Sequence, residues 1–242
     1  MSSRERARRP AVSVIIPALN EAKYIKEVME GLRNQTLGNF EVIVVDGGST
    51  DSTVKIARGY GARVVIDKGG LISESRNRGA RIARGGILFF TNADTRPAPH
   101  AIETYLDVFK EKNVVAATGP LDPLEESDAI LRFCYKFVSV GLAQFAMAVG
   151  APSISGSNFA VRRSAFMRAG GFDEKFKTYE DLDLSNRLKH QGRIAYSQGA
   201  LVHTSARRIK AWGIPKYIYF NAANVARYYL FATPKEEYEP IR

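Results

Sequence analysis

From Val12 onward the chain alternates short β-branched runs with stretches in which apolar residues recur every three or four positions. That alternation predicts βαβ units around a mainly parallel sheet, an α/β fold. Val12 to Ile16 reads as a first buried strand closed by Pro17, after which Ile25, Val28, Met29 and Leu32 fall at helical spacing. Phe40 to Val45 is a second strand, followed by the polar turn Asp46-Gly47-Gly48-Ser49-Thr50-Asp51 and a short helix with Val54 and Ala57. Arg63 to Ile66 and Ile87 to Thr91 make two more strands, separated by a basic helix-like segment carrying Arg76, Arg78, Arg81 and Arg84. After Asn92-Ala93-Asp94 a helix begins near Pro99, with Ile102, Tyr105, Leu106 and Phe109 on one face. Proline suits a first helical turn, where its missing N–H would be unpaired. Val114 to Thr118 is a fifth strand. The second half is less regular: a long apolar segment from Ala129 to Val149, a polar turn from Ser153 to Asn158, a short strand Phe159 to Val161, and a helix starting near Asp181.

The 242 residues, 45% of them hydrophobic, can bury a substantial core and show no repeat or low-complexity linker. A lone cysteine, Cys134, excludes an intramolecular disulfide framework and a Cys-rich metal site. It suits a reducing, cytoplasmic setting. The net charge of +10 favours anionic partners: nucleotide phosphates, lipid headgroups or nucleic acid. The basic residues Arg4, Arg6, Arg8 and Arg9 precede Pro10 with no apolar core behind them, so residues 1–10 read as a frayed basic tail rather than a signal or anchor.

In an open parallel sheet, ligands bind at the carboxyl ends of the strands, beside helix N-termini. Asn20-Glu21 follows the first strand, Asp46 ends the second and Asp94 follows the fourth. Each acid alone reads equally well as a helix cap or turn residue. Their arrival at one rim from separate strands points to a site.

Three blocks carry a family resemblance: S-V-I-I-P-A-L-N-E from Ser13 to Glu21, V-I-V-V-D-G-G-S-T-D from Val42 to Asp51, and Y-E-D-L-D-L-S-N-R-L from Tyr179 to Leu188. In order and spacing they resemble the family 2 glycosyltransferases of GT-A fold. The resemblance implies a Rossmann-like, mainly parallel central sheet with apolar helical embellishments in the C-terminal half. It further implies a GT-A domain over residues 11–205, with residues 11–119 holding a nucleotide diphosphate sugar and residues 120–205 facing the acceptor. Residues 206–242 then form an aromatic, basic helical extension.

Carried over residue by residue, Asp46 resembles the carboxylate that accepts the N–H of the nucleotide base. Pro17, Ala18, Leu19 and Glu21 resemble the loop around base and ribose, with Leu19 where an aromatic residue is common. Arg76 matches a basic residue near base and phosphate, while Arg81 and Arg84 read as solvated helix charges. Asn92-Ala93-Asp94 stands in place of an acidic metal motif usually written Asp-x-Asp. Asp94 keeps the carboxylate that a divalent cation, Mn2+ or Mg2+, needs when it bridges protein and diphosphate. Asn92 brings no charge, but its amide can still bond ribose or a metal-bound water, so Asn92 and Ala93 count with the donor-nucleotide residues. His203 falls where some relatives place a further metal ligand; a structural histidine is the competing reading. Asp181 of Glu180-Asp181 resembles the general base toward an acceptor hydroxyl, which in an inverting transfer lies opposite the leaving diphosphate, and Glu180 stands beside it on the acceptor side. The competing reading makes Asp181 or Asp183 the N-cap of the following helix. Gly156, Ser157 and Asn158, with the Gly170-Gly171-Phe172-Asp173 loop, resemble acceptor-side loops in which glycine admits close approach of a sugar.

The resemblance thus implies an inverting transfer from a UDP-sugar, or from GDP-mannose, to an acceptor hydroxyl or phosphate. Sugar nucleotidylyltransferases compete, but they open with a Gly-rich basic phosphate loop where this chain has P-A-L-N-E. A non-catalytic nucleotide- or glycan-binding module would not need both Asp94 and Asp181. Nucleic-acid binding rests on net charge alone and ranks last. Residues 129–149 are too interrupted, by Arg132, Lys136, Gly141 and Gln144, to span a bilayer, and the aromatic, basic run 212–230 has the composition of a second interfacial element. They suit in-plane contact with the cytoplasmic membrane face beside a lipid-linked acceptor, or a homodimer interface.

Overall fold

The computed structural model describes residues 9–124, 129–136, 144, 147, 150 and 153–231. Its centre is a seven-stranded sheet in the order β3-β2-β1-β4-β8-β6-β9. The strands are β1 (Val12–Ala18), β2 (Phe40–Asp46), β3 (Arg63–Ile66), β4 (Ile87–Thr91), β6 (Val114–Thr118), β8 (Asn158–Arg162) and β9 (Arg193–Tyr196). β1 pairs in parallel with both β2 and β4, and β2 with β3. β8 runs antiparallel between β4 and β6 while β6 pairs in parallel with β9, so the sheet is mainly parallel, as expected, with one reversed strand. Because β4 lies beside β1 rather than beyond β3, the chain reverses direction across the sheet between β1 and β4, the kind of switch point where doubly wound sheets bind ligands.

Alternation along the central strands feeds two cores. Val14, Ile16, Val44 and Phe89 face one layer, built with α1 (Ala22–Arg33), α2 (Thr53–Gly59) and α4 (Ala101–Val108). Ile15, Ile43, Val45, Leu88 and Phe90 face the other, which includes α3 (Ile72–Ile82), α6 (Arg163–Arg168) and α7 (Glu180–Leu188). Both faces being covered explains why Val14 to Ile16 of β1 and Ile87 to Phe90 of β4 read as unbroken apolar runs. The second core is aromatic: Phe90 stacks on Phe159 at 4.8 Å, and Phe172 meets Phe90 edge-on at 5.3 Å. α3 lies close against β1 at Gly79, where a Cβ would stand 2.5 Å from Ile15 Cγ2.

A small second sheet, in the order β5-β10-β7, joins β5 (Thr95–Pro97), β10 (Val202–Thr204) and β7 (Leu121–Pro123). These three-residue strands are too short for any periodicity to announce them. They fasten the chain after β4 to the segment that leads into α8 (Arg207–Trp212) and α9 (Ile214–Phe231). α5 (Ala129–Lys136) covers the start of the expected apolar segment, and Leu131 packs with Ala206, Ile209, Ile214 and Tyr217. The rest of that segment up to Val149, apart from Gln144 and Met147, lies outside the described residues, as do residues 1–8 of the basic tail.

Candidate active site

The loops after β1 and β2 are stitched together at the carboxyl edge of the sheet. Gly47 N–H donates to Ala18 O at 2.8 Å, Asn20 N–H to Ser49 Oγ at 2.8 Å, and Thr50 N–H to Asn20 Oδ1 at 2.8 Å. Asn20 adopts a left-handed backbone (φ 54°), a strained conformation that this clasp holds in place. Asp46 is almost fully buried and accepts from Gly48 N–H (3.0 Å), Ser49 N–H (2.8 Å) and the Ser49 hydroxyl. A carboxylate offers about four acceptor positions, so most of the capacity of Asp46 goes to shaping its own turn. Leu19 stands at the rim, 40% exposed, and Gly47 passes beneath it. Pro17 is half-buried and Ala18 buried.

Asp94 follows β4. Its backbone carbonyl accepts Ser205 N–H at 3.0 Å and its carboxylate accepts the Thr95 hydroxyl at 3.3 Å. Burial raises the Asp94 carboxyl above its ordinary value, opposed chiefly by the positive charge of Arg207. The Arg207 guanidinium lies 3.0 Å from Asp94 Oδ2 and donates to Glu21 Oε1 and Oε2 at 2.6 and 3.0 Å. Burial likewise raises Glu21, and the Arg207 hydrogen bonds oppose it. Sequence reading missed Arg207, which comes from the extension, 186 positions beyond Glu21. The tandem arginines of Ser205-Ala206-Arg207-Arg208 are the only signal, and they do not name their partners.

Arg76, read from sequence as a donor contact, is placed differently. Its side chain is 2% exposed, too enclosed to meet a base or phosphate directly. Its guanidinium bonds Glu180 Oε1 at 2.5 Å, Gly156 O at 2.7 Å and Asn92 Oδ1 at 3.0 Å, and lies over the Phe172 ring. It is a strut joining the Asn92-Ala93-Asp94 turn to the Glu180-Asp181 pair, a charge that the spacing of four arginines could not distinguish from its solvated neighbours. Arg81 and Arg84 are such neighbours, exposed and paired with Glu174 and Glu41. Ala93 is buried in the first core.

Asp181 is the second residue of α7, and the cap position belongs to Tyr179 in a left-handed conformation (φ 62°). Asp181 is therefore not an N-cap, and Asp183 pairs with Arg187 at 2.6 Å. Asp181 Oδ2 accepts Gly156 N–H at 2.7 Å and Oδ1 accepts Leu182 N–H at 2.9 Å. Burial raises both carboxyls of the Glu180-Asp181 pair, against the pull of Arg76. Gly156 admits no side chain easily, since a Cβ would lie 3.1 Å from Arg76 Nη1 and Asp181 Oδ2.

Two expected site residues stand apart. Asn158 is fully buried; its amide donates to Pro120 O and Ala200 O and accepts the Tyr105 hydroxyl at 2.7 Å. It pins β8 to its neighbours and presents nothing to an acceptor, whereas Ser157, half-buried beside it, bonds Ser155. His203 faces Asp122, with Nδ1 3.8 Å from Oδ2. Thr204, on the opposite face of β10 by strand alternation, bonds Thr95 and so lies on the Asp94 side. The Gly170–Asp173 loop lines an open cavity of about 900 Å³ whose walls include Asn77, Glu174 and Arg187 but not Glu21, Asp94 or Asp181.

Among the described residues, no three His, Cys, Asp or Glu side chains gather at one point. A divalent cation at Asp94 would thus have at most two protein carboxylates and draw its other donors from diphosphate and water, a set that suits Mg2+ or Mn2+.

Residues 13–170 match the model of glycosyl transferase family 2. Hyaluronan synthase of Pasteurella multocida is 27% identical over 227 residues, covering 89% of this chain and 23% of that protein. Validoxylamine A glucosyltransferase of Streptomyces hygroscopicus subsp. jinggangensis is 28% identical over 220 residues, covering 76% and 52%. The chain thus spans about half or less of these relatives. Among solved structures, S. aureus TarS in complex with UDP-GlcNAc superposes with a TM-score of 0.66 at 18% identity, covering 93% of this chain and 68% of that one. A mannosyltransferase from Pyrobaculum calidifontis in complex with GDP-Man and Mn2+ gives 0.64 at 22%, covering 85% and 60%. At those identities the structures establish the GT-A fold. The family match runs through β1, the Asp46 turn, Arg76 and Asp94 to Gly156, and so the chain belongs to glycosyl transferase family 2.

Proposed function

We propose that the protein transfers a sugar, with inversion, from a nucleoside diphosphate donor to an acceptor hydroxyl or phosphate. The observation that carries this reading is the strut of Arg76. One buried guanidinium ties Asn92, in the turn before Asp94, to Glu180, beside Asp181, so donor end and base end form one rigid unit. The Glu21 and Asp46 loops would hold the nucleoside. Asp94 would hold a divalent cation with the diphosphate, and that cation supplies neutralisation of the charge growing on the leaving group. Asp181 would take the acceptor proton. A raised carboxyl suits that task, because a base works best when its pKa approaches the operating pH.

UDP is the favoured nucleotide and GDP the alternative; similar proteins are seen with each. A lipid-linked acceptor reached by peripheral membrane contact accords with exposed Phe133, Ile218, Tyr219 and Leu230 beside exposed Arg132, Lys210 and Lys216. Among the described residues no helix is long and apolar enough to cross a membrane.

Thermal-shift screening with UDP, GDP and CDP in the presence of Mn2+ tests the donor reading. One nucleotide should raise the melting temperature in a Mn2+-dependent way, and Asp94→Ala should abolish both that rise and sugar transfer. Full transfer in EDTA would overturn the role given to Asp94.

A further inference from the structure

Glu21 and Asp94 share one counter-ion. Two hydrogen bonds hold Arg207 to Glu21, at 2.6 and 3.0 Å, and an ion pair at 3.0 Å holds it to Asp94. The bidentate Glu21 contact is the stronger anchor and the single Asp94 contact the weaker one. The guanidinium carbon also lies 5.2 Å from the centre of the Tyr24 ring, which keeps its plane oriented if Asp94 lets go. The Arg207 side chain is 23% exposed while Glu21 and Asp94 are each 13% exposed, so the cation is the member of the trio most open to an arriving ligand.

The trio with both acids ionised carries one net negative charge, which repels a diphosphate. A divalent cation on Asp94 would reverse that sign, yet Arg207 already stands where the cation must approach Asp94 Oδ2. Arg76, a second guanidinium near this turn, is buried and its two Nη atoms are taken by Glu180, Gly156 and Asn92, so it does not meet phosphate directly, and Arg208 adds positive charge near Asp94 from the next position of the chain.

We propose that Arg207 is an exchangeable counter-ion of Asp94 that becomes a ligand of the donor diphosphate. In the donor-free protein it neutralises Asp94. When donor and divalent cation enter together, Arg207 releases Asp94, stays hinged on Glu21 and Tyr24, and turns its freed N–H groups to phosphate oxygens, for which its planar fork is well shaped. Glu21 is then a positioning residue for Arg207 as well as part of the first loop. This inference rests on the role of Asp94 proposed above and adds a residue of the extension to the donor site.

The test uses the full chain and reads binding rather than turnover. Mn2+ alone is titrated against nucleotide-free wild type, Arg207→Met and Arg207→Lys by electron paramagnetic resonance. UDP and GDP are titrated by calorimetry at saturating Mn2+. Removing the guanidinium uncovers two carboxylates, so Arg207→Met should bind Mn2+ alone about tenfold more tightly while losing about tenfold in nucleotide affinity, with Arg207→Lys intermediate in both. A general loosening of the site would weaken both ligands together. Unchanged or weaker Mn2+ binding by Arg207→Met, or unchanged nucleotide binding, overturns the exchange. Should that variant not fold, the structure of wild type with Mg2+ and its nucleoside diphosphate decides: Arg207 on phosphate oxygens supports the proposal, and Arg207 still on Asp94 overturns it. If wild type binds none of UDP, GDP or CDP with Mn2+, the donor reading falls and takes the exchange with it; if wild type binds one and Arg207→Met binds it equally, only the exchange falls.

Discussion

Asp181 sits between two backbone donors, Gly156 N–H and Leu182 N–H, near the positive charge of Arg76, and burial still leaves its carboxyl above the ordinary aspartate value of 3.8. The sign has consequences for both activity and stability. As a base it must be ionised, so the acid limb of kcat/KM should lie above 3.8 and should vanish in Asp181→Asn, whose turnover should fall by roughly 10²–10⁴-fold. A carboxyl raised in the folded state costs stability as pH climbs from its unfolded value through its folded one. An asparagine carries no such cost and still accepts from Gly156, but its amide nitrogen replaces the oxygen that accepts Leu182 N–H, so the two effects oppose each other. Asp181→Asn should therefore melt close to wild type at neutral pH while losing turnover; a much lower melting temperature with full turnover would contradict both parts. At this scale the sequence revealed the acids through their places after strands. It could not reveal that Arg76 and Asn158 are enclosed or that Arg207 arrives at Asp94, because burial and distant pairing leave no local pattern.

Elements with a full period were legible, and those without one were not. β1, β2, β4 and β6 announced themselves by β-branched runs, and α1 by Ile25, Val28, Met29 and Leu32, all buried. β5, β7 and β10, at three residues each, and the antiparallel course of β8 emerge only from tertiary pairing. α3 shows why placement of an element matters to the site. It carries Gly79 against Ile15 and Arg76 against Glu180, so packing and charge share one helix. Gly79→Leu should overpack that contact at a cost of about 1–3 kcal/mol. Arg76→Met should cost about 3–5 kcal/mol, because it strands Glu180 as a buried charge without its partner. Urea unfolding measures both. If Arg76→Met unfolded like wild type, the strut would not be holding α7 and the Asn92 turn together.

For the whole molecule, the question is what the extension does besides delivering Arg207. Its inner face is settled: Ala206 and Ile209 pack on Leu131 of α5, with Ile214 and Tyr217 against them. Tyr219, 76% exposed, Ile218 and Leu230 stand out from the extension, and Phe133, 68% exposed, from α5, which packs against it. Lys216 lies over the Trp212 ring at 5.0 Å, and Trp212 meets Phe220 at 5.1 Å, which places cation and aromatic groups together on this extension. A helix with apolar and aromatic groups beside basic ones favours the boundary between headgroups and acyl chains, and a net charge of +10 adds attraction to anionic lipid. The full chain should float with anionic vesicles, bind neutral ones more weakly, and lose binding as salt screens the charge. Replacing Phe133 and Tyr219 together by Ser should weaken flotation several-fold without lowering the melting temperature, because neither side chain belongs to the packed core. A chain that stays in the soluble fraction as a stable dimer, and becomes monomeric when Phe133 and Tyr219 are replaced, would assign the same surface to self-association and remove the membrane from the reading.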